Sequence, residues 1–532
     1  MSTETGTQPQ PAKQEDFWGR LDDRMDHLSD YLNPILVKET RQALKSRPFL
    51  VTFFLLLTCA WGWSLLAVAL QTKNNSFQLG RTTLWGYFVV LLIPMVIIVP
   101  YTAFRSLAKE REDGTHELLS ITTLAARQVV MGKLGSAVMQ MIFFYSVLAP
   151  CITFTYLLRG VDIVVIGMLL WYTLVISIVL SALGLLLAAA ARASQWQMLL
   201  SLLLLAGLVI AAICWLNGGL FMIEEASTTQ TWFWYVNLAI NMGAASFLVL
   251  FLQGAAAQLS FASDNRSTKI RITMLTQSAI FVGWMALRQI QHPDWGFAMV
   301  VSIIAGIYWA VMGSLLVGEI GVLSQRVRRT LPQTGLGRVL FTLFNPGGGT
   351  GYFFTLCNLA AVVVVANITL MLMADRHADE HCIMIGLLVF MYVTSYLGVT
   401  RLIIAYTARW AQPGPLGSFV ITVVLAVLGC LVPMIFQLLF WRVFSDDYTA
   451  LQAPNWMWTL VEAVDQRGRS DVFSTILIMV AISFIILAVN LIVGAREVNQ
   501  HRESLPERVH EEDLAKSPKP TVKAQSHPLD EV

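Results

Sequence analysis

About twenty consecutive apolar residues suffice to carry an α-helix across a bilayer, and this 532-residue chain holds about twelve such runs, almost end to end. They lie near 49–71, 84–104, 134–158, 162–190, 197–216, 233–262, 272–290, 296–318, 352–374, 382–403, 416–441 and 472–495. Lipid offers a backbone no hydrogen-bond partners, so each run must satisfy its own amides and carbonyls, which for a single segment means helix. Hydrophobic residues make up 56% of the chain and charged residues only 13%, about half the usual soluble share. The expected fold is all-α: a polytopic helical membrane protein with about 12 transmembrane helices.

None of the runs holds Lys, Arg, Asp or Glu in its central part. Ion-coupled carriers and proton pumps bind the driving ion on ionisable groups at that depth, so a cargo moved by this chain draws its energy from elsewhere. A sodium-coupled carrier using hydroxyls, carbonyls and amides such as Asn367 or Gln253 stays open as the alternative. The net charge of +2 provides no global basic field, and no nucleic-acid partner is expected. The six cysteines, at 59, 151, 214, 357, 382 and 430, have no paired spacing and read as small buried hydrophobes.

The amino-terminal stretch, 1–48, lacks the apolar core and cleavage site of a signal peptide and is expected to stay in the cytoplasm. Phe17, Trp18, Leu21, Met25, Leu28 and Leu32 recur at helical spacing, with Asp22, Asp23, Asp26 and Asp30 mostly opposite. That pattern suits a helix lying on the membrane or on a partner; an ordinary solvated leader is the alternative. Asn33-Pro34 then supplies a cap and a first-turn proline for a second amphipathic helix, ILVKETRQALKSR. With this end inside, the connections holding Arg105, Lys109, Arg111, Arg127, Lys133, Arg192, Arg266, Lys269, Arg271, Arg326, Arg328, Arg329, Arg338 and Arg409 are cytoplasmic, and the opposite connections hold far fewer cations. The asymmetry puts both termini in the cytoplasm of a multi-pass plasma-membrane protein. TWFWY at 231–235 and the tryptophans of NWMW at 455–458 suit aromatic belts on the outer side.

Between the second and third runs stands a charged stretch, KEREDGTHELLSITTLAARQVVMGKL, in the loop 105–133. Glu110, Arg111, Glu112 and Asp113 read as a water-exposed collar, interrupted by Gly114, where the backbone turns freely. Thr115 can cap a short helix, HELLS, with Glu117 in its positive first turn. Thr122 and Thr123 break it and cap the next helix, which runs through LAARQVVMGKLGSAV into the third span. The short helix presents Leu118, Leu119 and Ile121, an apolar set suited to docking against a partner or to covering the floor of the bundle.

The order NPILVKETRQALKSRPF, two spans, then EREDGTHELLSITTLAARQVVMGKL resembles the ABC type-2 exporter permeases, over about residues 33–262. The residues matching that family's loop are Glu112, Gly114, Thr115, Glu117, Leu118 and Leu119, followed by the pair Gly132 and Lys133; Leu124 stands where the family has proline. The resemblance implies a coupling helix seated in a cleft of a separate cytoplasmic ABC ATP-binding subunit, with permeases working as a dimer of six-span halves. It also implies a transport subunit and no enzyme: this chain binds no cofactor, and ATP-Mg sits on the partner. The partner-coupling residues so implied are Glu110, Glu112, Gly114, Thr115, Glu117, Leu118 and Leu119.

The chain is thus divided into a cytoplasmic leader (1–48), a permease-like six-span domain (49–262), a second six-span region (263–495) and a disordered cytoplasmic tail (496–532). The second region parallels the first in having a long loop, 324–351, after its second span, but SQRVRRTLPQTGLGR has no counterpart of the EREDGTHELL run. It is either a duplicated half, which would supply a whole pathway without a second permease copy, or an added module. NPGGGTGY at 345–352 lacks the Gly-Lys-Ser/Thr ending of a phosphate loop and reads as a flexible lead into the ninth span. DRHADEH at 375–381 gathers acids and two histidines but reads as a solvated turn, as do Arg288, His292 and Asp294. No catalytic or metal residue is assigned. An ATP-driven exporter subunit is the leading reading and a stand-alone carrier or membrane enzyme the alternative. Besides the ATPase, lipids and a second permease copy are the partners to consider, and the cargo is not legible.

Overall fold

Every apolar run becomes a helix for the reason given above: backbone satisfied within the segment. The structure, a computed structural model, describes residues 33–71, 79–113, 125–157, 161–191, 194–225, 231–261, 264–292, 294–321, 342–373, 380–408, 410, 413–441, 448–465, 469–502 and 512. Among them are twelve helices long and apolar enough to cross a membrane. The chain divides into two compact units, Met1–Ser260 and Phe261–Val532. The base of a unit is taken as the end where its first span begins.

The first unit opens with a short helix, α1 (Pro34–Leu44), whose start follows from sequence: the Asn33 side chain accepts from the Ile35 amide at 3.1 Å, and Pro34 occupies the first turn. Span 1 is α2 (Arg47–Gln71). Span 2 is α3 (Leu79–Leu92), a π-helical turn (Ile93–Ile98) and α4 (Val99–Glu112). Pro94 and Pro100 each remove a donor from the ladder, and the chain widens there, with the Val99 amide reaching back to the Pro94 carbonyl. Spans 3 to 6 are α5 (Ala126–Leu157), α6 (Ile163–Ala190), α7 (Ser194–Glu225) and α8 (Thr231–Leu259). Ser177 of α6 donates to the Met95 carbonyl freed in the π turn, and Gly184 lets α6 lie directly on α4, where a β-carbon would sit 2.9 Å from the Pro100 carbonyl oxygen.

In the second unit spans 7 to 11 are α9 (Ser267–Gln291), α10 (Trp295–Val317), α11 (Gly348–Met373), α12 (Glu380–Thr407) and α13 (Pro415–Trp441). A short helix, α14 (Trp456–Asp465), precedes span 12, α15 (Arg469–Arg502). The same neighbours pack in both units. Counting spans within each, the first lies on the second and third, the second on the third, fourth and fifth, the third on the fourth and sixth, and the fourth on the fifth and sixth.

Several expectations are corrected. Of the two aromatic runs, Trp234 and Tyr235 are exposed, and Trp456 and Trp458 are half-buried, packed against a core of α10, α11, α12, α14 and α15 residues. They pack there because α14 is pinned to that core: Tyr392 and Tyr396 donate to the carbonyls of Ala453 and Pro454 at 2.7 and 2.6 Å. The cysteines are free thiols, but only Cys382 is buried, while Cys59, Cys214 and Cys357 are exposed on the outside of their helices. The last span, Phe473–Arg496, keeps its expected bounds, but its helix runs on to Arg502, into the tail expected to be disordered. Arg288 donates to the His292 carbonyl and Asp294 caps α10 through the Gly296 amide, so both serve local helix ends.

Candidate functional site at the base of the first unit

The loop expected over 105–133 is much shorter in the structure. α4 stays helical through Glu112 and α5 begins at Ala126, so the flanking charges belong to helices with neighbours on more than one side. This corrects half of the exposed collar: Glu112 and Asp113 are exposed as expected, but Arg111 donates to the Ala191 carbonyl at 3.1 Å and Glu110 turns inward.

What Glu110 meets is Lys133, two turns into α5. The Lys133 ammonium lies 2.9 Å from Glu110 and 3.2 Å from Glu39 of α1, and its side chain is only 1% exposed. The Ser106 hydroxyl, one turn before Glu110, is 3.5 Å away. The ammonium has three donors and here has three oxygen neighbours, which is the condition for keeping such a charge out of water. Residues i and i+4 share a helix face, so Ile35 and Glu39 approach α5 together, as Ser106 and Glu110 do from α4.

Glycine makes the approach of α1 to α5 close enough. A β-carbon at Gly132 would stand 2.8 Å from the Ile35 side chain and 3.2 Å from the Leu36 backbone nitrogen; one at Gly135 would stand 2.7 Å from a Leu36 methyl. Gly132 and Gly135, one turn apart, form the flat seat on which α1 rests. Asn33 closes its near end by donating to the Gln128 carbonyl at 2.6 Å. The Gly132-Lys133 pair therefore has a structural meaning: the glycine seats α1, and the lysine locks it to the end of span 2. A cleft of about 190 Å³ remains beside the lock, lined by Pro34, Ile35, Lys38, Glu39, Glu110, Val129 and Lys133.

Of the residues expected to contact a partner, Glu110 is in this lock and Glu112 is exposed beside it. Gly114, Thr115, Glu117, Leu118 and Leu119 lie outside the described residues. Glu39 was not singled out, because its role depends on a lysine on another helix; the one available signal was its position one turn after Ile35 on an amphipathic helix.

The second unit has its own buried cation at its base. Arg271 of α9 is 0% exposed and pairs with Glu319 at 2.5 Å. It also donates to the Leu343 carbonyl at 2.6 Å, to the Thr350 hydroxyl at 3.0 Å and to the Gly347 carbonyl at 3.3 Å. Ser267, one turn earlier, donates to Glu319 as well. The glycines of NPGGGTGY are thus packing residues and do not form a loose lead. Gly347 has a φ of 147°, and β-carbons at Gly348 and Gly351 would fall 2.5 and 2.6 Å from the carbonyl oxygens of Val317 and Leu316. Among the described residues no cluster of His, Cys, Asp or Glu is arranged to hold a metal ion. Compared with protein-family models, curated proteins and solved structures, the chain matches none of them.

Proposed function

We propose that this chain is the membrane-embedded permease subunit of an ATP-driven exporter, moved by ATP hydrolysis on a separate subunit that docks at the base of the first unit. The observation that supports this most is the Lys133 lock. It fastens α1, the end of span 2 and the start of span 3 into one body at the mouth of the segment 114–124. A push on that segment reaches two spans and α1 at once, because packed, ion-paired helices shift as a unit more readily than they deform. Span 2 has a natural place to yield: the π turn at Ile93–Ile98, which contains Pro94 and is followed by Pro100. The absence of charge in the middle of the spans adds the energetic side, since a mechanical input needs no ion-binding carboxylate at that depth.

The reading is tested by purifying the full chain from its native membrane, asking whether a Walker-type ATPase accompanies it, and reconstituting the two in lipid. The expected result is a stable complex whose ATP hydrolysis changes when Lys133→Met breaks the lock. Substrate turnover by the purified chain alone, with no ATPase bound, would replace this function with a stand-alone carrier or enzyme.

A further inference from the structure

We infer that the amino-terminal segment 17–32 folds back along α1 as its antiparallel partner and covers the cleft beside the Lys133 lock. Nothing in this depends on the exporter reading. Residues 17–32 lie outside the described residues, but the surface they would cover is described. α1 spends one face on α5, where Ile35 and Leu36 meet the glycine seat and Glu39 meets Lys133. Another face is left over. Pro34, Lys38, Arg41 and Lys45 follow one another at i, i+4, i+7 and i+11, a single stripe of a helix, and all four are exposed. Glu39 is the one acid from Pro34 to Lys45, and it is spent on Lys133, so the stripe is purely basic. Pro34 and Lys38 of the stripe also line the cleft, whose apolar floor includes Ile35 and Val129.

Segment 17–32 matches that surface in charge, spacing and reach. From Glu15 to Leu32 there are six acids and two arginines. A helix made to lie on an anionic cytoplasmic leaflet carries Lys and Arg on its polar face, and this one carries the opposite charge, which suits a basic protein surface. The segment cannot run straight on into α1. Asn33, placed before a proline, has a φ of −55° and a ψ of 118°, outside the helical region, so the chain bends there. Counted from the Asn33–Pro34 bond, Asp30, Asp26 and Asp22 stand 4, 8 and 12 residues before it, and Lys38, Arg41 and Lys45 stand 5, 8 and 12 after it. In two antiparallel helices joined at that bond, residues equally far from it lie side by side, so each acid meets a cation. At 1.5 Å per residue the two charged stripes are each about 10–12 Å long. The same fold-back keeps Leu28 and Leu32, close to the bend, within reach of the apolar floor of the cleft.

The test uses the full-length chain, freed of its six cysteines and held in lipid vesicles, with Asp26→Cys and Arg41→Cys introduced together. Oxidation should join the two within one chain, read by mass spectrometry of the digested monomer. Asp26→Cys with Arg47→Cys, which is out of register, should stay apart. With the first pair in place, Asp22→Lys and Asp30→Lys should abolish the joining, and adding Lys38→Asp and Lys45→Asp should restore it. The positions changed on α1 are exposed and outside the lock, so its fold is kept. Joining that survives the reversed charges, or a loss that the swapped charges do not restore, would overturn the inference. So would a link between two chains, which would make the occupant a second copy, or no link at all, which would put the segment on the membrane or on a different protein.

Discussion

Lys133 Nζ lies 2.9 Å from Glu110 Oε1, joining the start of the third span to the end of the second at a point where both side chains are largely out of water. A charge in that position is held only by its partners. Removing one partner leaves the rest uncompensated, which in buried pairs costs about 3–5 kcal/mol. Lys133→Met, which leaves Glu39 and Glu110 facing each other, is therefore expected to lower the thermal midpoint of the detergent-solubilised chain markedly. Combining it with Glu39→Gln and Glu110→Gln should recover most of the loss, because the neutral set has no stranded charge. A triple variant no more stable than Lys133→Met would show that the ammonium contributes by something other than these two carboxylates.

The seat of α1 gives a second expectation. At Gly132 an added side chain meets the Leu36 backbone as well as Ile35, whereas at Gly135 it meets the movable tip of Leu36. Gly132→Val should thus lift α1 at a cost of about 1–3 kcal/mol, and Gly135→Ala should be tolerated within about 1 kcal/mol. A cysteine at Ile35, buried in the native chain, reports the difference: maleimide should label it in the Gly132→Val background and not with Gly135→Ala. Equal labelling in both would contradict the seat.

Arg271 makes its contacts through both terminal guanidinium nitrogens at once, to Glu319 on one side and the Leu343 carbonyl on the other. Lysine offers a single ammonium and cannot span both. Arg271→Lys should be destabilising, and Arg271→Met more so, by about 3–5 kcal/mol, since it strands Glu319. Gly347→Ala should cost about 1–3 kcal/mol because its backbone lies in a region that only glycine adopts easily. Thermal unfolding of the three variants ranks them; an Arg271→Lys chain as stable as the native one would mean the carbonyl contacts contribute nothing.

The spans were legible because a membrane helix is set by one local quantity, the length of an apolar run, and the α1 start because Asn33-Pro34 caps within its own turn. The junctions were not, because their meaning is non-local. Lys133, beside the run beginning at 134, has the sequence signature of a solvated edge charge; only the fold brings Glu39 and Glu110 to it. Likewise, NPGGGTGY reads as a flexible segment until Arg271 and the end of α10 are placed against it. The end of the second span is longer than its apolar run because polar residues continue the helix from 104 to Glu112, whereas the helix that leads into the third span starts at Ala126, close behind the cap read at Thr122 and Thr123.

The distribution of Lys and Arg between alternate connections predicts an orientation with the 105–133 connection in the cytoplasm. In a chain freed of its six cysteines, one introduced at Ser120 should resist an impermeant thiol reagent added outside intact cells, and one at Gln230 should react. Labelling at Ser120 from outside would reverse the topology and take the ATPase contact with it.

The central claim, that force enters from an ATPase next to the Lys133 lock, is tested most directly by recovering that ATPase on native and variant chains at equal membrane abundance. Leu118→Asp with Leu119→Asp replaces the apolar pair between the two locked helices. Burial of two leucines contributes roughly 3–6 kcal/mol before the costs of association. The account predicts that the doubly substituted chain inserts normally and loses the ATPase; undiminished recovery would contradict it.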